Sequence, residues 1–202
     1  MFGSGVLFLY AIAMDKLIVW CKTREEWRNW LLEHFQSEKE AWFVFPTIAA
    51  HEQGVSYNDA VEEALCFGWI DGVAGTLDPT HQLRRFTPRR KGSPYSRLNI
   101  ERLIYLDAQD MIHESVRDEA KKIIKKPFKF PKDIIAAIRK DKVAWANYQN
   151  FPDSYKRIRV AYIEAARKRP EEFAKRLGNF IEKTRQGKII TGYGGTDLYY
   201  GR

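Results

Sequence analysis

The densest concentration of residues able to bind a charged ligand lies between positions 84 and 99. This stretch contains no acidic residue and six cationic ones: Arg84, Arg85, Arg89, Arg90, Lys91 and Arg97. Guanidinium groups bind carboxylates and phosphates through paired hydrogen bonds, and Ser96 at a helix start would add backbone N–H donors. The segment therefore predicts an anion site. The alternative interpretation is that these arginines pair with acidic residues of the N-terminal half, Asp71 among them, and stabilise the fold.

Two aromatic residues flank the arginines and extend the predicted site. The predicted ligand-binding residues are Trp69, Asp71, Arg85, Arg89, Arg90, Lys91, Tyr95, Ser96 and Asn99. Their charge predicts an anionic small molecule or an acidic protein surface as the partner. The sequence gives no indication of a cofactor, and it leaves the oligomeric state open.

Standard catalytic signatures are missing from the chain. There is no nucleophile elbow, no zinc-protease helix, no Walker loop and no dinucleotide-binding glycine run. A hairpin could bring Asp71, Asp78 and His81 together as metal ligands, but lone histidines are more often structural, and we predict no metal site. An enzyme centred on Asp71 remains an alternative. A non-enzymatic binding protein is favoured because no general base with an orienting partner is visible.

The charge of the chain is unevenly distributed. Residues 15–78 carry 5 Lys/Arg against 12 Asp/Glu, whereas residues 121–188 carry 20 against 7. Solvated helix faces explain such a pattern in many proteins. Nucleic-acid binding by the basic C-terminal helices is the second functional hypothesis, and it predicts an affinity that falls steeply with salt. Aromatic residues there could stack on bases, although their spacing fits a core better: Phe128, Phe130, Trp145 and Tyr148.

Two other groups of reactive side chains are interpreted as structural or solvated. Glu62 and Glu63 follow each other on a predicted helix, so their side chains should not share a pocket, and we expect both on the solvated face. Cys21 and Cys66 are far apart and flanked by apolar residues. They form no disulfide framework, and Cys66 is expected to be a small buried side chain rather than a nucleophile.

The hydrophobic pattern predicts a predominantly helical α+β protein with a small antiparallel sheet in its N-terminal half. Strands are predicted at 17–20 and 41–45, with a hairpin formed by 69–73 and 82–86. Helices are predicted after the capping residues Thr23, Ser56 and Ser96, with Trp27 and Trp30 in the core. The C-terminal half is predicted to be all-helical, with helices at 116–125, 131–140, 142–148, 152–169 and 170–186.

These elements predict one compact unit with four sequence regions. Residues 1–13 are interpreted as an extension upstream of a natural start at Met14, residues 14–110 as an α+β lobe, 111–190 as a basic helical lobe and 191–202 as a tail. The apolar run 6–13 lacks a preceding Lys or Arg, so it does not fit a secretory signal, and it is too short to span a bilayer. We therefore expect a cytoplasmic protein.

Several ordered motifs resemble those of the YdeI/OmpD-associated family, whose members are also labelled bacteriocin-protection proteins. The motifs are Ala60 to Gly72, Arg85 to Arg90 and Ser93 to Asn99, then Tyr155-Lys156-Arg157, 162–166 and the glycine-rich tail 192–195. The resemblance extends from about Trp27 to the end of the chain. It implies a bacterial role in stress or bacteriocin resistance and no established reaction. Tyr95 stands where the family usually has Trp, a change expected to alter affinity more than fold if that ring stacks on a ligand.

Overall fold

The computed structural model describes residues 9–13, 16–191 and 196–200. The chain divides into two compact units, and each is described by itself. The first consists of Met1–Pro94 with Leu106–Ala120, and the second of Tyr95–Tyr105 with Lys121–Arg202. The predicted tail motif 192–195 and residues 1–8 lie outside the described residues.

A five-stranded sheet forms the first unit together with the helices that follow its strands. The strands are β1 Leu9–Ala13, β2 Lys16–Trp20, β3 Ala41–Pro46, β4 Trp69–Asp78 and β5 His81–Pro88, in the order β1-β2-β3-β5-β4. Strand β1 falls within the region interpreted above as an upstream extension. The predicted hairpin is confirmed as β4 and β5, which pair antiparallel from Trp69 opposite Pro88 to Asp78 opposite His81.

The sheet is mixed, whereas the sequence predicted a small antiparallel sheet. Strands β2 and β3 run parallel, with Ile18 opposite Trp42 and Val19 opposite Phe43. The reason is the helix between them, because a helical crossover returns the chain to the same end of the sheet. The fold class, α+β and predominantly helical, is confirmed.

Eight α-helices lie in the described part of the chain. They are α1 Arg24–His34, α2 Tyr57–Cys66, α3 Arg97–Ala108, α4 Glu114–Ile124, α5 Lys132–Lys140, α6 Lys142–Asn150, α7 Asp153–Glu164 and α8 Pro170–Arg185. Helices α3 and α4 contribute residues to both units.

The helix starts follow the predicted capping chemistry. The hydroxyl of Thr23 accepts from the Glu26 amide at 3.2 Å, and the hydroxyl of Ser56 accepts from the Asp59 amide at 3.1 Å. Pro131 and Pro152 are the N-caps of α5 and α7, and Pro170 is the first residue of α8. Proline fits these positions because the first-turn amides have no partner within the helix.

Aromatic side chains form the core of the first unit. Trp27 and Trp30 are fully buried, with ring centroids 5.1 Å apart, and Trp27 also packs edge-on against Phe43 at 4.7 Å. The predicted packing role of the α1 tryptophans is confirmed. The second unit has its own core of buried side chains from α5 to α8: Ile134, Ile138, Tyr148, Tyr155, Val160, Ile163 and Phe180.

Gly68, directly before β4, has a backbone conformation that an L side chain rarely adopts. Its φ is +73°, and a Cβ added there would lie 3.0 Å from Cγ1 of Val116. We expect Gly68→Ala to lower the free energy of unfolding by about 1–3 kcal/mol, measured by denaturant unfolding. Gly72→Ala is the control, because its Cβ would meet only the Arg85 carbonyl oxygen at 3.6 Å. Equal stabilities of the two variants would contradict the prediction.

Candidate functional site

Three guanidinium groups of the β4–β5 hairpin region are already engaged within the first unit. Arg85 Nε donates to Glu40 at 2.7 Å, and Arg84 donates to the Gly72 carbonyl at 3.0 Å. Arg89 donates to the Pro94 carbonyl at 2.9 Å and contacts Ser93. The Trp42 indole and then Arg85 hold the pKa of Glu40 below its usual value. These contacts agree with the alternative interpretation that the arginines stabilise the fold, although Arg85 pairs with Glu40 rather than with Asp71.

Arg90 and Lys91 differ from the other cations of this segment. Both side chains are exposed. Neither takes part in a side-chain hydrogen bond or ion pair within the described ranges. They are therefore the two hairpin cations that an anion could reach without breaking an existing contact.

Trp69 and Asp71 occupy very different environments. Trp69 is 1% exposed, and its indole N–H donates to the Phe35 carbonyl at 3.0 Å. A ligand could touch this ring only by displacing the core, so the residue acts in packing. Asp71 is partly exposed and accepts a 2.6 Å hydrogen bond from the Tyr57 hydroxyl.

The predicted site residues are divided between the two units. Trp69, Asp71, Arg85, Arg89, Arg90 and Lys91 belong to the first, whereas Tyr95, Ser96 and Asn99 belong to the second. Ser96 caps α3 as predicted, because its hydroxyl accepts from the Asn99 amide at 3.2 Å. Asn99 is buried, and its side-chain oxygen accepts from Arg102 at 2.8 Å. Asn99 therefore acts within α3 rather than on its surface.

A buried carboxylate that the sequence analysis missed joins two of the motifs in the second unit. Glu101, 4% exposed, accepts from Arg97 Nε at 2.7 Å and from Arg157 Nε at 2.6 Å. The hydrogen bonds to Glu101 raise the pKa of Arg157 above its usual value. The motif beginning at Ser93 and the motif Tyr155-Lys156-Arg157 are thus held together by one acidic side chain. Its signal in the sequence is a lone acid four residues after Arg97, on the same face of α3.

Two cavities border α7, and the larger of these two, which we call the large cavity, opens beside Arg97 and is formed within the second unit. Its volume is about 490 Å³, within the range of about 300–1,000 Å³ that small-molecule sites occupy. Three stretches of chain line it: 96–98 at the start of α3, 128–131 before α5, and 158–165 on α7. The apolar part of the wall consists of Leu98, Phe128, Pro131, Ile158, Ala161, Tyr162 and Ala165. Such a wall suits the carbon skeleton of a ligand.

The charged residues of the large cavity are mostly positive. Arg97 is paired with Glu101 and lies with its Cζ 5.4 Å from the Phe128 ring. Lys129 is exposed and has no ion pair among the described residues, and Arg159 is buried. The acid in the wall, Glu164, is bound by Arg167 at 2.6 Å. The cavity therefore presents an excess of positive charge to whatever enters it.

A small cavity of about 330 Å³ also borders α7. Its lining includes Arg159 and Tyr162, which it shares with the large cavity, and residues of α8. Glu172, the acid in its wall, is bound by Arg176 at 2.7 Å. The hydrogen bond to Arg176 lowers the pKa of Glu172.

Histidine and cysteine side chains do not form a metal centre in the described residues, where no group of three or more His, Cys, Asp or Glu side chains could hold an ion. Asp78 lies 2.8 Å from His81 in the hairpin turn, while Asp71 is bonded to Tyr57 instead. The Thr80 amide, then His81, lowers the pKa of Asp78 to about 2. Cys66 is buried as predicted, and burial raises the pKa of its thiol to about 12.

The expectation that Glu62 and Glu63 face solvent was wrong. Their exposed fractions are 3% and 1%, and Glu63 accepts from Arg24 at 2.5 Å and from Arg28 at 2.6 Å. The two arginines lie on α1, so they cover this face of α2 and supply the partners that buried carboxylates need. The ion pairs of Glu62 and Glu63 with these arginines stabilise the first unit.

The segment 121–132, which runs from the end of α4 to the start of α5, carries many exposed lysines without ion pairs within the described ranges. These are Lys121, Lys122, Lys125, Lys126, Lys129 and Lys132. Of the aromatic residues considered for base stacking, Tyr148 is buried, whereas Phe130 is 39% exposed. Nucleic-acid binding therefore rests on the lysines and stays a prediction.

None of the helices in the described part of the chain is both long and apolar enough to cross a membrane. The fold and the cavities define a two-unit α+β protein with a mixed sheet in one unit, helices in the other, and a cationic, apolar-walled cavity. Two family models match the sequence of this chain.

Residues 127–187 of the chain match the model of the bacteriocin-protection, YdeI or OmpD-associated family. The model of a domain of unknown function (DUF8412) matches residues 19–119, half of the chain, so the chain belongs to that family. The family resemblance is confirmed, but the motifs between 60 and 99 lie in the segment that the second model covers. No curated protein and no solved structure matches the chain.

Proposed function

We propose that this protein is a non-enzymatic binding protein of bacterial stress or bacteriocin resistance, and that it holds a small anionic ligand in the large cavity. The observation that carries the proposal is the composition of this cavity: an apolar wall with cationic side chains at Arg97, Lys129 and Arg159. A few charged groups in an apolar cleft orient a ligand, whereas the wall supplies affinity by excluding water.

The proposed anion site therefore lies in the second unit and not at the hairpin, where the sequence predicted it. Of the arginine-rich segment 84–99, Ser96, Arg97 and Leu98 line the large cavity. The hairpin arginines Arg84, Arg85 and Arg89 already donate to carbonyl or carboxylate groups, so a ligand would have to compete with them. Removing such a contact leaves a polar group unsatisfied, which disfavours a new partner there.

Filling the large cavity with a bulky side chain should weaken the binding of its ligand. Ala165 is exposed at the end of α7 and lines the large cavity. We expect Ala165→Phe to weaken the binding of octanoate, used as an amphipathic anionic probe, by about tenfold or more, because the ring occupies the space of the ligand. Isothermal titration calorimetry with the full chain measures the effect.

Two control variants accompany this experiment. Ala174→Phe adds the same ring to an exposed position of α8 that lines neither cavity, and should leave octanoate binding unchanged. Arg90→Gln with Lys91→Gln removes the two accessible hairpin cations. Absence of octanoate binding by the unmodified protein, or loss of binding only in the Arg90/Lys91 variant, would contradict the proposed site.

A further inference from the structure

Arg159 on α7 is a buried cation without a carboxylate partner among the described residues. It is 7% exposed, and its Nη2 donates to the Ile190 carbonyl at 2.5 Å. Its Nε, in contrast, is buried and has no hydrogen-bond partner in the described structure. A guanidinium has five N–H donors, and a buried charge is normally paired, so this arrangement is incomplete.

The neighbours of Arg159 compensate its charge only in part. Its Cζ lies 5.8 Å from the Tyr155 ring and 5.9 Å from the Tyr200 ring, distances at which an aromatic face attracts a cation weakly. These contacts, the Tyr155 hydroxyl, which interacts with the guanidinium, and the Ile190 carbonyl hold the side chain in place. None of them supplies the negative charge that a buried guanidinium lacks.

Arg159 and Tyr162 line both the large and the small cavity. The acids in the two cavity walls already form ion pairs, Glu164 with Arg167 and Glu172 with Arg176. Within the described lining, therefore, neither cavity offers Arg159 a free carboxylate, and a bound anion could provide one.

We propose that Arg159 is the anion receptor of this protein, and that its ligand is an amphipathic monocarboxylate whose carboxylate binds Arg159 and whose carbon chain lies along the apolar wall. This inference rests on the proposed function and names its ligand class. One buried guanidinium balances one negative charge, and its planar N–H groups match the two oxygens of a carboxylate. A phosphate dianion would bring a second charge that the buried part of the site does not balance.

The apolar wall of the large cavity would contact the carbon chain of the ligand. Leu98, Phe128 and Ile158 come from three separate stretches of chain and face the same space. An acid whose carboxylate carries only a methyl group, such as acetate, would leave this wall exposed to water and gain little from burial. Affinity should therefore need both parts of the ligand.

The test compares four probes by isothermal titration calorimetry on the full chain: octanoate, octyl phosphate, 1-octanol and acetate. Octanoate should bind at least about tenfold more tightly than 1-octanol and acetate, the range expected for a hydrogen bond to a charged group. It should also bind more tightly than octyl phosphate. A preference for octyl phosphate would overturn the choice of a monocarboxylate.

Arg159→Gln should abolish the preference for octanoate over 1-octanol while 1-octanol still binds, which also shows that the variant is folded. Lys168→Gln is the matched control: it removes one exposed cation of the same unit that lines neither cavity, and should keep the preference. If Arg159→Gln keeps the preference as well, Arg159 is not the receptor. If that variant fails to fold, the Arg159 Nε–H resonance of the unmodified protein decides, because octanoate should shift it and 1-octanol should not.

The two proposals fail in different ways. If the unmodified protein binds neither octanoate nor 1-octanol, or if Ala165→Phe binds both as well as the unmodified protein does, the large cavity is not the site and the proposed function is wrong. If Ala165→Phe loses binding but Arg159→Gln retains the preference, the cavity stands and only the role of Arg159 is wrong.

Discussion

Replacing Glu101 with Gln should lower the free energy of unfolding by about 3 kcal/mol, since breaking a buried ion pair leaves uncompensated charge behind. The Glu101 side chain, taken without its backbone, is 3% exposed and accepts from two guanidinium groups, and Arg157 binds both of its oxygens, at 2.6 and 2.9 Å. A glutamine keeps the volume but carries no charge, and its single acceptor oxygen cannot satisfy both arginines. Arg97 and Arg157 would remain as buried or half-buried cations without an acid.

Thermal unfolding provides the measurement. For a chain of this size a loss of about 3 kcal/mol should lower Tm by roughly 6–12 °C. Glu171→Gln is the control, because Glu171 is exposed in the first turn of α8, where an acid contributes only about 0.3–1 kcal/mol through the helix dipole. A Tm for Glu101→Gln within one or two degrees of this control would show that the three-residue cluster adds little to stability.

A loss of similar size is expected for Glu63→Gln in the first unit. Glu63 is 1% exposed and links Arg24 and Arg28 of α1 to α2. Arg24 retains Asp59 at 2.7 Å and Glu62 at 2.9 Å, whereas Arg28 has no other carboxylate partner within the described residues and keeps its hydrogen bond to the Met111 carbonyl. We therefore expect about 3 kcal/mol, most of it from Arg28.

Denaturant unfolding of Glu63→Gln, compared with Glu25→Gln, separates burial from charge. Glu25 is an exposed acid in the first turn of α1, so its replacement removes the same charge without breaking a buried pair. The predicted difference between the two variants is about 2–3 kcal/mol. Equal midpoints would mean that Arg24 and Arg28 reach solvent or other acids when Glu63 is neutral.

Local sequence patterns were sufficient for most of the secondary structure. Thr23, Ser56 and Ser96 have the residue types that bond first-turn amides, and all three accept such bonds in the structure. Prolines mark the starts of α5, α7 and α8. These signals act over three or four residues, so they can be recognised without knowledge of the rest of the fold.

The burial of charged residues could not be predicted in the same way. Glu62 and Glu63 look like the polar face of an amphipathic helix, and only the position of α1 shows that arginines cover them. Arg159 did carry a signal, since it lies four residues after Tyr155 and four before Ile163, both buried. A cation in the apolar stripe of a helix is a reason to search for a cavity.

By itself, the sequence determined the fold class, the capped helices, the hairpin, the aromatic core and a cationic segment, because each depends on local spacing or composition. The tertiary structure alone decided which cations are available. It paired Arg85 with Glu40 and Arg97 with Glu101, and it brought 96–98, 128–131 and 158–165 around one cavity. Pairing and cavity formation depend on side chains far apart in the chain, and no pattern within a single segment encodes them.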